Sequence, residues 1–391
     1  MPQVYIAAAV RTPIGRFQGA LSSLSATQLG SIAIREAIRR AGVPPDHIDE
    51  VLMGNVLSAG LGQAPARQAA IGAGLPDRVP CTTLNKVCGS GLKAVMMGAQ
   101  AIAAGDADIV VAGGMESMTH APYLLERSGT GRRIGHTLLT DSLIKDGLWD
   151  VYNDFHMGTA AERCATDYTL SRSEIDDFAI ESYRRAQEAQ ERGDFKREIV
   201  PVATQKKGEG FFFSDDEEPR KVNFEKIRTL KPAFDPQGII TAGNASPLSD
   251  GASALVLMSE AALERWGIAP RVVIKGQAMT ATAPAQFTTA PAEAIRRLLK
   301  KVGRRMEEID CFEINEAFAV SSIAVNRELA IDPKRVNLRG GAVALGHPIG
   351  ASGARILTTL MHILEDHALQ QGIASLCIGG GEAVALYIER R

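Results

Sequence analysis

Two glycine-rich turns carry the side chains best suited to covalent chemistry. In Asn85-Lys86-Val87-Cys88-Gly89-Ser90-Gly91-Leu92-Lys93 a cysteine stands at the start of a helical pattern. A thiol there meets the positive end of the backbone dipole, which favours thiolate and hence nucleophilic attack. The glycines let a substrate approach and leave backbone N–H groups to face a developing oxyanion. A structural cysteine beside a tight turn is the competing reading. His347, in Gly340-Gly341-Ala342-Val343-Ala344-Leu345-Gly346-His347-Pro348-Ile349-Gly350, occupies a similar turn ahead of a second helix. A cysteine and a histidine meeting in one crevice would be the nucleophile–base arrangement of acyl transfer. Cys377 ends a short strand before Gly379-Gly380-Gly381 and reads as a base or as a small buried hydrophobe. Asn315, after the strand Phe312-Glu313-Ile314, reads as a hydrogen-bond donor, an orienter of water, or a helix cap. Cys81, Cys164 and Cys311 lack such settings and read as structural. No His/Cys spacing matches a zinc site, and no glycine loop matches a phosphate or dinucleotide fingerprint.

The two turns fall in register under an internal repeat. Gly42 and Gly303, like Ile48 and Ile309, lie 261 positions apart, and Ser90-Gly91 and Ser352-Gly353 lie 262 apart. Each Ser-Gly leads into a helix and then a strand ending in glycines, Ala107–Gly114 in one half and Ala374–Gly381 in the other. Two such halves related by a pseudo-two-fold would bring both turns to one crevice. Helical and short β-branched stretches alternate, the pattern of an α/β layered domain. Residues 26–40 read as a helix with Leu29, Ile32, Ala33, Ala37 and then Ala41 on one face, and Val51–Gly54 as a buried strand.

Between the halves the texture changes. Ser128–Arg133 and Lys206–Gly210 have loop compositions, and Asp215–Arg220 reads as a solvated acidic run. Ser171 with Glu174 reads as a capping-box start to a helix whose face is Ile175, Phe178, Ala179, Ser182, Ala186 and Ala189. The division expected is 1–118 plus 249–268 for the first half, 119–248 for an inserted loop domain, and 269–391 for the second half.

Composition narrows the function. The 391 residues are 45% hydrophobic and 23% charged, a globular balance, and 43 Lys+Arg against 45 Asp+Glu provide no basic field for nucleic acid. No apolar run is expected to reach the ~18 residues of a membrane span. Five cysteines are too few for a disulfide scaffold, and an odd count leaves a free thiol, so a cytoplasmic setting is expected. The opening residues 1–10 read as a first strand and not as a signal segment.

Cys88 in NKVCGSG, Asn315 in NEAFA, His347 in GGAVALGHPIGASGAR and Cys377 in CIGGG resemble the four signature blocks of thiolases. The likeness runs from Val10-Arg11-Thr12-Pro13-Ile14-Gly15 to the last strand. It implies duplicated βαβαβαββ halves in a five-layer αβαβα core with an inserted, coenzyme-A-binding loop domain. It also implies a homodimer, paired further into a homotetramer, acting in fatty acid metabolism. The activity implied is that of acetyl-CoA C-acetyltransferase, with acetyl-CoA, acetoacetyl-CoA and CoA as substrates and products and no metal or other cofactor. The alternatives are a degradative 3-ketoacyl-CoA thiolase of longer chain preference and a non-catalytic CoA-binding scaffold. By the same resemblance Cys88, His347, Cys377 and Asn315 are catalytic. His347 with Asn315 would hold one oxyanion, and the N–H groups of Cys88 and Gly379 the other. Leu148, His156, Met157, Arg220, Phe234, Ala242, Ser246 and Phe318 would line the CoA site. Arg339, Pro247, Phe287 and Glu382-Ala383 depart from the pattern. Arg339 is expected to brace the His347 turn, or else to point into solvent or a subunit contact.

Overall fold

The computed structural model describes residues 3–125, 136–206 and 209–391. Ser128–Arg133, read as loop, lies outside them, as do Lys207 and Gly208. The principal strands are β1 (Val4–Arg11), β2 (Glu50–Gly54), β3 (Cys81–Leu84), β4 (Ile109–Ser117), β5 (Ser249–Ser259), β6 (Val272–Ala281), β7 (Cys311–Ile314), β8 (Gln371–Ile378) and β9 (Glu382–Arg390). The principal helices are α1 (Ala26–Ala41), α2 (Pro65–Ala73), α3 (Ser90–Ala104), α4 (Met157–Asp167), α5 (Arg172–Arg192), α6 (Ala290–Val302), α7 (Ala319–Leu329) and α8 (Ile349–Asp366).

The repeat seen in the sequence is a repeat of topology. In the first half β2 runs parallel to β4, β4 antiparallel to β5, and β5 antiparallel to β1. In the second half β7, β8, β9 and β6 pair in the same order and senses, and β3 extends only the first sheet. The two sheets join where Val4–Ile6 pairs with Val272–Ile274. A bulge interrupts β1 between Ile6 and Ala8, and its counterpart interrupts β6 between Ile274 and Gly276. The bulge shifts the side-chain phase of β1. Val4, Ile6 and then Ala9 face the middle of the molecule, while Tyr5, Ala7 and then Ala8 and Val10 face outward.

Five layers follow from those faces. α1 and α2 cover the outside of the first sheet, and α6 with part of α7 covers the outside of the second. α3 and α8 fill the layer between the sheets. Buried on all sides, these two are apolar around most of their circumference. That explains one correction: Val87–Ala104 does reach span-like composition, with mean hydropathy 1.3 over 18 residues, and its helix lies in the middle layer between the sheets.

The middle helices cross at the repeated glycines. A Cβ on Gly91 would meet Ala354 N at 2.8 Å, and one on Gly353 would meet Leu92 N at 2.4 Å. Close approach fixes a further detail. The first-half strand does not end at Gly113-Gly114 as expected but continues to Ser117, because any Cβ there would strike Ser253 O at 2.1 Å or Gly350 O at 2.0 Å.

Elsewhere local chemistry sets the elements. Ser25 and Gln28 form a reciprocal capping box on α1. On α5, Ser171 accepts from the Glu174 N–H, while the Glu174 carboxylate turns away to Arg327. The inserted region adds a hairpin, Val202–Lys206 with Glu209–Phe213, where loop was expected. The acidic run is not simply solvated. Asp216 is fully buried, takes a forked pair of bonds from Arg11 at 2.7 and 2.9 Å, and accepts the Ile14 N–H. Glu198 joins the same cation at 2.6 Å, so two carboxylates of the insertion anchor on β1.

Gly353→Ala should destabilise the fold by about 1–3 kcal/mol through overpacking and disturb the reactivity of Cys88. Gly105→Ala is the control: φ is +84° with nothing within 4 Å of a Cβ, so strain of about 1–2 kcal/mol should leave Cys88 unaffected. Denaturant titration and thiol labelling of both variants check this.

Candidate active site

Cys88 sits on the turn ahead of α3. The preceding Val87 has φ +46°, and Ser90 Oγ locks the turn by accepting the Lys86 N–H at 2.8 Å and donating to Val87 O at 2.6 Å. The Gly379 turn lies against it. A Cβ on Gly89 would strike Ile378 Cδ1 at 2.4 Å, and one on Gly379 would sit 3.6 Å from Val87 and 3.4 Å from Met157. Lys86 and Glu382 form an ion pair that ties the two turns together.

The expectation of a lowered thiol at Cys88 is not met. Burial dominates and pushes it up to about 11, opposed by hydrogen bonds from the Gly379 and Cys88 N–H groups. Those donors are the pair that the resemblance implies for one oxyanion, and here they point at the sulfur. Cys377 is 1% exposed, and its thiol is raised by burial and then by the neighbouring Cys88.

His347 is neutral as well. Burial, with the Arg355 cation adding to it, lowers the imidazole to about 3. Its tautomer follows from Ser352. The single hydroxyl hydrogen of Ser352 goes to Pro348 O at 3.0 Å, so at 2.6 Å its oxygen accepts from His347 Nδ1. The hydrogen-bond network thus assigns the proton to Nδ1, which leaves Nε2 a bare, buried acceptor without a partner among the described residues. That is the form a general base requires.

Asn315 is buried three residues ahead of the cap of α7, which is Phe318, so it is not a cap. Its Nδ2 lies 3.5 Å from His347 Nδ1. Both nitrogens carry hydrogen, so this is a contact between donors, and the amide N–H stays available. Nothing in the local sequence pattern pointed to the braces behind these groups. Glu316 accepts from Ser182 at 2.6 Å, Asn337 at 2.9 Å and the Val343 N–H at 3.2 Å, holding the stretch before His347. Glu116 accepts from Asn55 at 2.8 Å and from the Gly350 N–H of α8 at 2.9 Å, tying the halves together. Ser352 alone had a signal, as the repeat partner of Ser90.

The expected CoA-site residues gather unequally. His156 stacks on Phe234 at 4.8 Å, Phe234 meets Phe318 edge-on at 6.1 Å, and Met157 packs in the same cluster as Phe318 and Cys377. Leu148 packs with Cys88 on the cluster around Leu57 and Ile349. The Ser246 N–H donates to Ala317 O at 3.0 Å, which sets that segment beside Phe318. Ala242 and Arg220 are both exposed, and Arg220 pairs with Asp215 at 3.1 Å. Of the departures, Pro247 O accepts the His347 N–H at 3.2 Å. Phe287 is 3% exposed and meets Phe318 at 6.5 Å. Arg339 is 1% exposed, donating to Asp194 O at 3.0 Å and to Asp366 at 2.5 Å. It braces the insertion against α8 and does not reach solvent.

A neutral thiol, a neutral imidazole with a free Nε2, a second thiol and paired backbone donors are the groups that a cysteine-nucleophile acyl-transfer centre requires. Residues 4–261 match the family described as Thiolase, N-terminal domain, and residues 268–390 match Thiolase, C-terminal domain. The chain belongs to the thiolase family. It is 51% identical over 392 residues to the acetyl-CoA acetyltransferase of Pseudomonas aeruginosa, covering 100% of both chains. It is 49% identical to that of Schizosaccharomyces pombe, covering 99% of each. The crystal structure of the Bacillus anthracis acetyl-CoA acetyltransferase superposes with a TM-score of 0.97 at 42% identity, covering 100% of this chain and 99% of that one. A thiolase from Ascaris suum in complex with coenzyme A gives 0.94 at 46% identity, covering 100% of both.

Ser352→Ala should cost only about 1 kcal/mol of stability but release the imidazole to the wrong tautomer. Acylation of Cys88 by a thioester should then slow by about 10²-fold or more. Rapid-quench mass spectrometry checks the rate; an unchanged one would show that Ser352 does not set the tautomer.

Proposed function

We propose that this chain is an acetyl-CoA C-acetyltransferase, joining two acetyl-CoA into acetoacetyl-CoA and CoA or running the reverse thiolysis through an acyl-Cys88 intermediate. One observation carries the reading: the free Nε2 of a neutral His347 in a site that holds two cysteines and the Gly379 turn. Full-length similarity to acetyl-CoA acetyltransferases supports the substrate.

Cys88 attacks the thioester carbonyl as His347 Nε2 takes its proton. Burial raises the resting thiol and lowers the imidazole, which favours proton transfer coupled to attack over a standing ion pair. The departing CoA sulfur takes the Cys377 proton. Cys377 is then a thiolate, made a strong base by its burial, and it balances the charge on His347. It removes an α-proton from the second acetyl-CoA, and the carbanion attacks acyl-Cys88. The released Cys88 sulfur recovers the proton from His347. One oxyanion is held by the N–H groups of Cys88 and Gly379, and the other by His347 with a water oriented by Asn315. Donors aimed at transient charge stabilise transition states more than bound thioesters.

The short acyl group is supported by the full-length similarity to acetyl-CoA acetyltransferases, whereas Phe287, buried beside Phe318, is a departure that would allow the longer-chain alternative. Thiolysis should therefore be fastest with acetoacetyl-CoA and fall as the ketoacyl chain lengthens. A flat or rising series favours the degradative alternative. The exposed Tyr123, Leu125, Leu138 and Leu139 support a subunit contact and with it the homodimer paired as a homotetramer.

The two cysteines should separate by experiment. Cys377→Ala should still reach full acetyl incorporation at Cys88 by intact mass, though more slowly because the departing CoA loses its proton donor, while thiolysis falls by about 10²–10⁴-fold. Cys88→Ala should lose both. Near wild-type thiolysis in Cys377→Ala would reduce that residue to a space-filler and contradict the mechanism.

A further inference from the structure

Helix α8 presents Ser352 and, one turn on, Arg355 toward the site. Ser352 fixes His347, while Arg355 meets the other partner of the proposed oxyanion. Its guanidinium is 2% exposed, with NH2 at 3.5 Å from Asn315 Oδ1 and NH1 at 3.4 Å from Glu313. Its Nε and Glu313 Oε1 have no partner among the described residues. A buried pair with contacts this long is a poor stabilising device. Its geometry does something else. A guanidinium can only donate, so the edge of the Asn315 amide that faces it must be the carbonyl oxygen. The Nδ2 hydrogens are then turned to the His347 side, where no acceptor among the described residues consumes them. Without Arg355 the contact with His347 Nδ1 at 3.5 Å favours the reverse orientation, because the amide oxygen would accept the Nδ1 hydrogen. In the flipped orientation an oxygen would face the developing negative charge.

We propose that Arg355 is a positioning residue of the carbon–carbon bond-forming step, holding the Asn315 amide with its N–H donors toward the enolate oxygen. The proposal rests on the thiolase reading above and adds a residue to its second half-reaction only. Exchange of free CoA with acetyl-CoA through acyl-Cys88 forms no enolate, whereas thiolysis of acetoacetyl-CoA releases one. Arg355 should thus matter far more to thiolysis than to exchange, which it reaches only as a charge beside His347. Loss of the cation should be tolerated by the fold. Burial pushes the Glu313 carboxyl up to about 8, so it can stand protonated and neutral beside an apolar replacement.

The test compares Arg355→Met and Arg355→Lys in wild-type and Asn315→Ala backgrounds. It follows acetoacetyl-CoA thiolysis and the exchange of labelled CoA into acetyl-CoA. A misplaced catalytic group of this kind costs about 10–10²-fold, so Arg355→Met should lower thiolysis by that factor with exchange close to wild type. Arg355→Lys, which keeps the charge without the planar fork, should recover part of the loss. In the Asn315→Ala background the Arg355→Met factor should shrink toward one. Equal losses in thiolysis and exchange, or a factor that persists undiminished without Asn315, would overturn the proposal. If Arg355→Met does not fold, the Lys variant alone decides by the same two ratios. A wild-type chain that fails to exchange CoA would instead overturn the functional reading beneath it.

Discussion

Gly91 and Gly353 let two helices touch backbone to backbone in the middle of the molecule, and the site depends on that contact. Each glycine follows a serine that pins the turn just ahead of it. On one side the pinned turn presents Cys88, and on the other it presents His347. A single Cβ at the crossing would push the helix starts apart. The pseudo-two-fold therefore serves as the positioning device, because duplicated turns meeting at a dyad face each other. Differences between the halves then do the chemistry. Ser90 closes its turn on backbone alone, whereas Ser352 accepts from an imidazole.

Burial is the second constraint, and it fixes the resting charge of the site. The dipole at the start of α3 argued for a thiolate, yet desolvation outweighs it at Cys88. The same force keeps His347 neutral and Cys377 protonated. A neutral resting site needs no counter-ion and can admit a neutral thioester. Charge then arises only as bonds rearrange, next to donors already in place. The cations and carboxylates of the interior stand behind the site. Arg11, Glu198 and Asp216 hold the insertion to β1, while Glu116 and Glu316 hold the loops that carry the reacting groups.

The sequence carried the reacting groups and the repeat more clearly than it carried their support. Cys88, His347 and Cys377 stood out because each lies beside glycines that close approach or a positive φ requires, and the register of Cys88 and His347 followed from an offset of 261 to 262 positions. The shared bulge was invisible, since Ile6-Ala7-Ala8 and Ile274-Lys275-Gly276 share no residue pattern beyond the isoleucine. Buried charges were misread for a related reason. Asp216 lies in a run of acids, and local composition cannot reveal that Arg11, 205 residues away, comes to meet it. Arg339 was expected to brace the His347 turn, and it instead ties Asp194 of the insertion to Asp366 at the end of α8. Ser352 was legible as half of a repeat and not as the residue that sets a tautomer. The pKa of Cys88 was misjudged because a helix start is visible in sequence while the enclosure around it is not.

The central claim is that His347 rests neutral, with its proton on Nδ1 and Nε2 bare and buried. Nitrogen NMR of the histidine-labelled protein across about pH 5 to 9, assigned by comparison with a His347→Asn variant, measures this directly. The account predicts one protonated Nδ1 and one unprotonated Nε2 for His347 throughout that range, with no titration. An imidazolium signal near neutral pH, or a proton on Nε2, would contradict it.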